Sequence, residues 1–235
     1  PSMLCETRDG TFIFMWNGGP AEGESGNRIF FSRREKNSTA CSEPVRLESR
    51  QIDFGALYQP KQAGAPVIAG YWLGVPRRSP AALRWSYDDG RTWTERHGFP
   101  ETNNSFWAAA PASGHFRLSM SPPVEFPDGT LWWASEQEHR KPAIVVVPPD
   151  NYTGHEPDGA AWSSIQPTTF QRGVHGDFLI LTPDYDGILF VNREGGDYVT
   201  HDRGKTWKEV KGIPKGVAGV AAVSLDIEGG PAQGW

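Results

Sequence analysis

The sequence predicts an all-β fold of the propeller type, with about four blades and the start of a fifth in this chain. An eight-residue turn with the pattern Ser/Thr-x-Asp-x-Gly-x-Thr-Trp occurs twice, at residues 86–93 and 200–207. Glycines suited to the first hairpin of a blade recur at positions 10, 64, 129, 176 and 229. A period of roughly 50 residues with four short strands per unit is typical of a propeller blade. No helical periodicity extends over three turns, which argues against a helical fold.

The first unit is predicted from three short apolar runs and the turns between them. Its predicted strands are Met3–Glu6, Thr11–Trp16 and Arg28–Ser32. Asp9-Gly10 predicts a hairpin, because Gly adopts positive φ and Asp bonds nearby backbone N–H groups. A Gly-rich loop is predicted over Asn17–Asn27. Residues Glu35–Cys41 stand where a repeat turn is expected, and we interpret them as a degenerate copy with Cys41 at the Trp position.

The pattern then restarts three times and begins a fifth unit. The predicted strands are Val67–Trp72, Leu83–Trp85, Ala143–Val147, Phe178–Leu181 and Ile188–Asn192, together with a hairpin over residues 124–133 and a fifth-unit strand at Val220–Leu225. The Ser/Thr, Asp, Gly, Thr and Trp positions that the two repeat turns share are predicted to serve turn formation and packing. Each Trp is predicted to pack into its own blade. A propeller closes its ring to remove its sheet edges. We therefore expect one propeller domain over residues 1–235 that is incomplete at both ends.

Composition narrows the class of partner. The net charge is −5 without a basic stripe, which argues against nucleic-acid binding. No apolar run reaches the length of a membrane span, and the six histidines lack metal-ligand spacing, so we expect no membrane span, no metal and no cofactor. Cys5 and Cys41 are interpreted as two buried thiols rather than a disulfide. The compartment stays open: secreted or periplasmic if a signal peptide has been removed, otherwise cytoplasmic.

The repeat turn resembles the Asp-box, also called the bacterial neuraminidase repeat, of the sialidase (neuraminidase) superfamily. Further segments are similar to that superfamily: the Pro1–Leu4 strand start, the Trp16–Gly23 loop, Ser121-Pro122-Pro123 with Asp128–Leu131 and Ser135-Glu136, Val147–Tyr152, and Ile165–Thr168. The resemblance covers about the whole chain and implies a six-bladed sialidase-type propeller. Asp-boxes are specific for this fold and poorly specific for activity.

Members that cleave sialic acid bind its carboxylate with three arginines, use a Tyr activated by a Glu as nucleophile, and use an Asp as acid/base. The resemblance implies Glu22 as acid/base, although the corresponding loop of this chain contains no Asp. It implies Glu136 as the activating carboxylate and Arg172 or Arg193 as a carboxylate-binding arginine, since a guanidinium fits a carboxylate bidentately. The first arginine would precede Pro1, and the third arginine and the Tyr would lie outside this sequence.

Aromatic and histidine side chains complete the candidate site. Trp16, Trp107 and Trp133 are candidates to stack on the apolar face of a sugar, and His139 is a candidate sugar contact or proton carrier. Each candidate has a structural alternative: inter-blade packing for the tryptophans, an ion pair for Glu136, and a solvated surface position for Glu22 and the arginines.

Three functions remain open at this stage. The first is a glycoside hydrolase that cleaves a terminal sugar, acidic sugars included, from a glycan or oligosaccharide. The second is a non-catalytic carbohydrate-binding propeller. The third is a polysaccharide lyase on the same fold, in which His139 with Tyr152 or Tyr185 removes a proton next to a uronate carboxylate. The sequence does not name the sugar or the linkage.

Overall fold

The computed structural model describes residues 2–19, 26–47, 52–73, 81–94, 97–98, 117–118, 121–137, 141–152, 163–165, 178–181, 187–191 and 196–211. Their strands form four antiparallel sheets, each built from strands that are consecutive in the chain. This is the arrangement predicted for four propeller blades. The predicted fifth-unit strand at Val220–Leu225 lies outside the described residues.

The bounds of the strands follow the sequence units. Blade 1 contains β1 (Ser2–Glu6), β2 (Phe12–Gly18), β3 (Arg28–Arg34) and β4 (Val45–Arg46). Blade 2 contains β5 (Ile52–Tyr58), β6 (Val67–Leu73), β7 (Ala81–Ser86) and β8 (His97–Gly98). Blade 3 contains β9 (Arg117–Leu118), β10 (Val124–Glu125), β11 (Leu131–Gln137), β12 (Lys141–Val147) and β13 (Ser163–Ile165), with a 3-10 turn at Pro149–Asn151 after β12. Blade 4 contains β14 (Phe178–Leu181), β15 (Ile188–Val191), β16 (Asp197–Thr200) and β17 (Lys208–Val210).

Strands β2 and β5 differ from the expectation, and the short strands β8, β9, β13 and β17 were not predicted. Strand β2 continues through Asn17 and Gly18, where the sequence predicted the start of a loop, and Gly18 pairs with Arg28. Strand β5 was missed altogether. Its register with β6 shifts between Asp53 and Gly55. A β-bulge of this kind interrupts the alternation of apolar and polar residues on which strand prediction depends.

The apolar core lies between the blades. In β2, Ile13 and Met15 are buried against blade 2, whereas Phe12 and Phe14 alternate with them and are half-buried on the opposite face. Such two-residue alternation gives every blade one face for each of its two neighbours. Three buried clusters result, one at each interface between consecutive blades.

The repeat-turn tryptophans belong to these interfaces. Trp93 meets Phe31 of blade 1 edge-to-face, with ring centroids 5.6 Å apart. Trp207 packs against the cluster that joins blades 3 and 4. The prediction that each Trp packs into its own blade was therefore too narrow, because the ring also contacts the preceding blade. Trp133 is 1% exposed in the interface of blades 2 and 3, which excludes it as a sugar contact.

The cysteine prediction was half right. Both thiols are free; Cys5 is buried and Cys41 is exposed. Burial raises the pKa of Cys5 to about 11, which makes its thiol unreactive. Cys41 was expected to be buried, whereas the turn that contains it lies at the rim of blade 1 and leaves it exposed.

Candidate functional site

Each blade has two chemically different ends. The first hairpin follows the first strand of a blade and the repeat turn follows the third, and alternate strands of an antiparallel sheet run in the same direction. Both turns therefore lie at one end, which we call the turn end. The connections β2–β3, β6–β7 and β11–β12 lie at the opposite end, which we call the loop end.

Hydrogen bonds between blades show that the turn ends of blades 1, 2 and 3 lie together. The guanidinium of Arg8, in the first hairpin, donates to the carbonyl oxygens of Pro60 and Gln62 at 2.5 and 2.7 Å. The backbone N–H of Lys61 donates to both carboxylate oxygens of Glu125 at 2.9 Å. The loop ends of these three blades consequently lie together on the other side of the propeller.

The turn end of blade 4 joins the others through an ion pair. Arg203 of the second repeat turn lies 2.6 Å from the carboxylate of Asp128 in the first hairpin of blade 3. Burial would raise the pKa of Asp128, but the bonds from Arg203 and Thr130 outweigh it and lower that pKa. All four blades thus share one orientation.

The aspartate that both repeat turns share accepts hydrogen bonds from groups of its own turn. Asp88 accepts hydrogen bonds from the Ser86 hydroxyl at 2.8 Å, from the Thr92 N–H at 2.8 Å and from the Thr92 hydroxyl at 2.6 Å. Asp202 has the same set of partners in blade 4. The Thr206 hydroxyl and N–H lower the pKa of Asp202 to about 2. A carboxylate held ionised in this way has a pKa too low for acid catalysis near neutral pH.

The degenerate turn of blade 1 lacks the residue types of the repeat turn but forms the same backbone hydrogen bonds at its end. The Ser42 N–H donates to the Arg33 carbonyl oxygen at 2.7 Å, and the Ser42 hydroxyl oxygen accepts from the Arg33 N–H at 3.0 Å. In blade 2, the Thr94 N–H donates to the Trp85 carbonyl oxygen at 2.8 Å, and the Thr94 hydroxyl oxygen accepts from the Trp85 N–H at 3.0 Å. Ser42 therefore corresponds to Thr94, which confirms that Cys41 occupies the Trp position.

Tyr58 and Glu125 form a tyrosine–glutamate pair, but at the turn end. The Tyr58 hydroxyl donates to Glu125 at 2.6 Å across the interface of blades 2 and 3. Burial, followed by the bond to Glu125, raises the pKa of Tyr58 well above its ordinary value. The phenol stays protonated, and it lies on the opposite side from the loop end. We interpret this pair as an inter-blade contact.

Tyr152, one of the two tyrosines considered for a lyase, also belongs to the turn end. It is 1% exposed, and its hydroxyl donates to the carbonyl oxygen of Gly129 in the first hairpin of blade 3. Burial raises the pKa of its phenol above the ordinary range. Tyr152 is thus a packing residue, which leaves Tyr185, outside the described residues, as the other tyrosine of that hypothesis.

Of the predicted site residues, Trp16 and Glu136 fall within the described residues, and both lie at the loop end. Trp16 is near the end of β2, where its Cα pairs with Ser2 and Phe30. Its ring stacks on that of Phe30, with centroids 6.1 Å apart, and the residue is half-buried. The stacking supports the packing alternative for one side of the ring.

Glu136 is near the loop end of β11, between two neighbouring strands. Its Cα pairs with Pro142 of β12 on one side and with Arg117 of β9 on the other. The backbone register thus makes Arg117 the cross-strand neighbour of Glu136. Arg117 was not predicted as a site residue, because the first strand of blade 3 is split between β9 and β10. The available signal was the short alternating run Phe116–Met120 before the blade 3 hairpin.

The other predicted site residues lie outside the described residues. They are Glu22, Arg172, Arg193, His139 and Trp107. Within the described ranges, no group of three or more His, Cys, Asp or Glu side chains could hold a metal ion. In the same part of the chain, no helix has the length and apolar character needed to cross a membrane.

A family model described as a BNR repeat-like domain matches residues 10–227. The chain belongs to the BNR repeat-like family. This match and the similar solved structures confirm membership of the sialidase-like superfamily and its propeller fold. No curated protein sequence matches the chain significantly.

Similar solved structures come from proteins with different activities. The Hadza microbial sialidase Hz136 matches at 16% identity with a TM-score of 0.65, over 89% of this chain and 46% of the sialidase. The intramolecular trans-sialidase of Ruminococcus gnavus matches at 10% identity with a TM-score of 0.64, over 89% of this chain and 69% of the enzyme. A PL25 ulvan lyase matches at 10% identity with a TM-score of 0.52, over 91% of this chain and 59% of the lyase. This BNR-repeat chain thus spans less than half of the Hz136 sialidase and shares a fold that carries both glycoside hydrolases and a lyase.

Proposed function

We propose that this BNR-repeat chain is part of a glycoside hydrolase that cleaves a terminal sugar, acidic sugars included, from a glycan or oligosaccharide. The observation that carries the proposal is the separation of the two ends. The aspartates common to the two repeat turns are bound to turn groups, whereas Glu136 and Trp16 lie at the loop end, next to connections between strands. Glycan-processing proteins on the same fold support the proposal, because a propeller can present such connections around one ligand.

In this proposal, Glu136 is the carboxylate that activates the nucleophile and Glu22 is the acid/base. Arg172 or Arg193 binds the carboxylate of an acidic sugar through a bidentate guanidinium contact. Arg117 is the backbone register partner of Glu136 on the neighbouring strand. An ionised Glu136 can accept the proton of the nucleophile.

Aromatic and imidazole groups complete the proposed site. Trp16 and Trp107 stack on the apolar face of the sugar, and His139 contacts a sugar hydroxyl or transfers a proton. No metal or cofactor is part of this chemistry, since the carboxylates, the arginines and a nucleophile suffice for glycoside hydrolysis.

The test uses Glu136→Gln with Glu43→Gln as a matched control, since Glu43 is exposed in blade 1. We expect Glu136→Gln to reduce kcat on a fluorogenic sialoside by about 100-fold or more. Glu43→Gln should leave kcat unchanged, and both variants should keep the wild-type Tm. Equal turnover by Glu136→Gln and the wild type would contradict the role of Glu136.

The two alternatives give different results in parallel assays. A carbohydrate-binding propeller would bind the glycan in calorimetry without turnover, and Trp16→Ala would weaken that binding. A polysaccharide lyase, suggested by the match to the ulvan lyase, would release an unsaturated uronate that absorbs in the ultraviolet. Either result with no sialoside turnover would replace the hydrolase proposal.

A further inference from the structure

The first hairpins of blades 1 and 3 carry an aspartate at the same position. Asp9 accepts a hydrogen bond from the Thr11 N–H at 2.8 Å, and Asp128 accepts one from the Thr130 N–H at 3.0 Å. Both aspartates are exposed at the turn end of the propeller. Asp9 and Asp128 therefore occupy equivalent places, each facing the repeat turn of the next blade.

The repeat turns of blades 2 and 4 differ at the residue that meets this aspartate. Asp89 and Arg203 stand at the same turn position and share a left-handed backbone, with φ of 56° and 55°. Arg203 forms an ion pair with Asp128 at 2.6 Å, which joins blades 3 and 4. Asp89 is instead hydrogen-bonded to the carboxyl group of Asp9 in blade 1. The interface of blades 1 and 2 thus has two acids where the interface of blades 3 and 4 has an acid and a base.

Backbone and side-chain contacts hold Asp89 beside blade 1. The Arg33 Nε donates to the Asp89 carbonyl oxygen at 2.6 Å. Any Cβ at the next residue, Gly90, would lie 2.8 Å from the Ile13 side chain, so this part of the turn packs directly on blade 1. The Thr7 hydroxyl, which donates to the Asp9 carboxylate at 2.5 Å, belongs to a residue that is 3% exposed. The meeting of two carboxyl groups is therefore built into the packing of the two blades.

Three arginines on the surrounding elements bind other groups. Arg91, in the same repeat turn, lies 3.0 Å from the carboxylate of Glu35. Arg33 donates its Nε–H to the carbonyl oxygen of Asp89 rather than to the carboxyl group. Arg8, in the first hairpin, donates to backbone carbonyl oxygens of blade 2. The pair consequently lacks the directly bound arginine that Asp128 has in blade 3.

Two further charged residues stand on the same elements. The side chain of Lys36 packs on the first hairpin of blade 1, and the carboxylate of Asp88 is bound within its own turn. Burial, followed by the charge of Asp9, raises the pKa of Asp89 and outweighs Arg91, which lowers it. The surroundings thus favour the protonated form of Asp89.

We infer that Asp9 and Asp89 form a proton-sensitive contact, which strengthens the interface of blades 1 and 2 when the pair holds one proton and weakens it when both carboxylates are ionised. With one proton, Asp89 donates to the Asp9 carboxylate, which keeps its bonds from Thr7 and Thr11. Without that proton, two like charges face each other across the interface. The inference concerns the turn end and is independent of the proposed hydrolase activity.

The raised pKa of Asp89 sets the direction of the pH dependence. The folded protein binds this proton more tightly than the unfolded chain, in which an aspartate has a pKa of about 3.9. The resulting stabilisation is fully present below that value and is lost as the pH rises through the folded pKa. Asp89 should therefore contribute a rise in Tm as the pH falls from 7 to 4.

Carbon-13 NMR of protein labelled at the aspartate carboxyl carbons tests the pair directly. The Asp89 signal is assigned by its loss in Asp89→Asn and is followed from pH 7 to pH 3. We expect its titration midpoint to lie above about 3.9 and to fall in Asp9→Asn, which keeps an oxygen for Thr7 and Thr11. A midpoint at or below that value, or an equal midpoint in Asp9→Asn, would overturn the inference.

Thermal unfolding of Asp89→Asn measures the consequence for stability. Asparagine carries no charge and tolerates the left-handed backbone at this position. Its Tm should exceed that of the wild type by roughly 1–3 °C at pH 7, and the difference should disappear at pH 4. Asp150→Asn, at an exposed aspartate of blade 3, should match the wild type at both pH values. An Asp89→Asn variant that gains nothing at pH 7, or that keeps the same advantage at pH 4, would contradict the proton-sensitive contact.

Discussion

The turn end and the loop end of this propeller use the same residue types for different purposes. At the turn end, Asp88 and Asp202 each accept hydrogen bonds from a hydroxyl and a backbone N–H of their own turn. At the loop end, Glu136 stands near the end of a strand, beside Arg117 in register and before a connection between strands. Acidic residues thus form the turns at one end, and a proposed site residue lies at the other.

This difference explains why the most recognisable motif says least about function. A tight turn restricts the residue at nearly every position, so its pattern repeats from blade to blade. Asp89 and Arg203 even adopt a left-handed backbone, with φ of 56° and 55°, at equivalent positions. A catalytic site needs one copy of each group, and a single copy leaves no repeat in the sequence. We expect stability to depend mainly on the turn end and activity on the loop end.

The largest expected effect on stability is that of Trp85→Ala. Trp85 is 2% exposed in the cluster between blades 2 and 3, close to the first repeat turn. Its removal should lower the free energy of unfolding by about 3–5 kcal/mol. The matched variant Trp16→Ala, at the loop end, should cost at most about 1.5 kcal/mol, because Trp16 is half-buried. Equal losses of unfolding free energy for the two variants, measured by urea unfolding, would contradict the expected difference between the two ends.

Tyr58→Phe should have the next largest effect. It removes the hydrogen bond to the Glu125 carboxylate and should cost about 1.5 kcal/mol, with no change in KM for a glycan substrate. A double-mutant cycle with Glu125→Gln isolates the pair from other effects of each substitution. A coupling energy near zero would show that this contact does not hold blades 2 and 3 together.

Asp89→Arg should stabilise the interface of blades 1 and 2. Burial and the nearby carboxylate of Asp9 raise the pKa of Asp89, whereas at the equivalent position Arg203 pairs with Asp128. The substitution should raise the free energy of unfolding by up to about 1 kcal/mol at pH 7. Arg203→Asp, the reverse change, should lower it. Effects of the same sign in urea unfolding would contradict the electrostatic explanation.

The smallest effect is a pH dependence confined to acid. Thr7 and Thr206 hold the pKa values of Asp9 and Asp202 at about 2, below the value of about 3.9 for an unfolded chain. Both depressed pKa values contribute stability that is present above about pH 4 and is lost as the pH falls toward 2. Tm measured at pH 7, 4, 3 and 2 should fall over the last steps. Asp202→Asn should reduce that fall, and an unchanged profile would argue against Asp202 as one of the groups.

The sequence was sufficient for much of the fold. The Asp-Gly-Thr hairpins at Gly10 and Gly129 and the two repeat turns were correctly predicted, because local turn chemistry determines them. Strand β5 was missed because a bulge near Gly55 breaks its alternation. The interface role of Trp93 was missed because it depends on which blade lies beside it. The candidate site was less predictable: Arg117 emerged only from its pairing with Glu136.

By itself, the amino-acid sequence determined the repeat, the hairpins and the superfamily, since these depend on residues close together in the chain. The tertiary structure decided which turns lie together at one end of the propeller and that Tyr58 bonds Glu125. These properties depend on contacts between blades that are far apart in the sequence. A residue's neighbours across such an interface leave no local pattern, so only the packed blades show that the Glu125 carboxylate binds Tyr58 and Lys61.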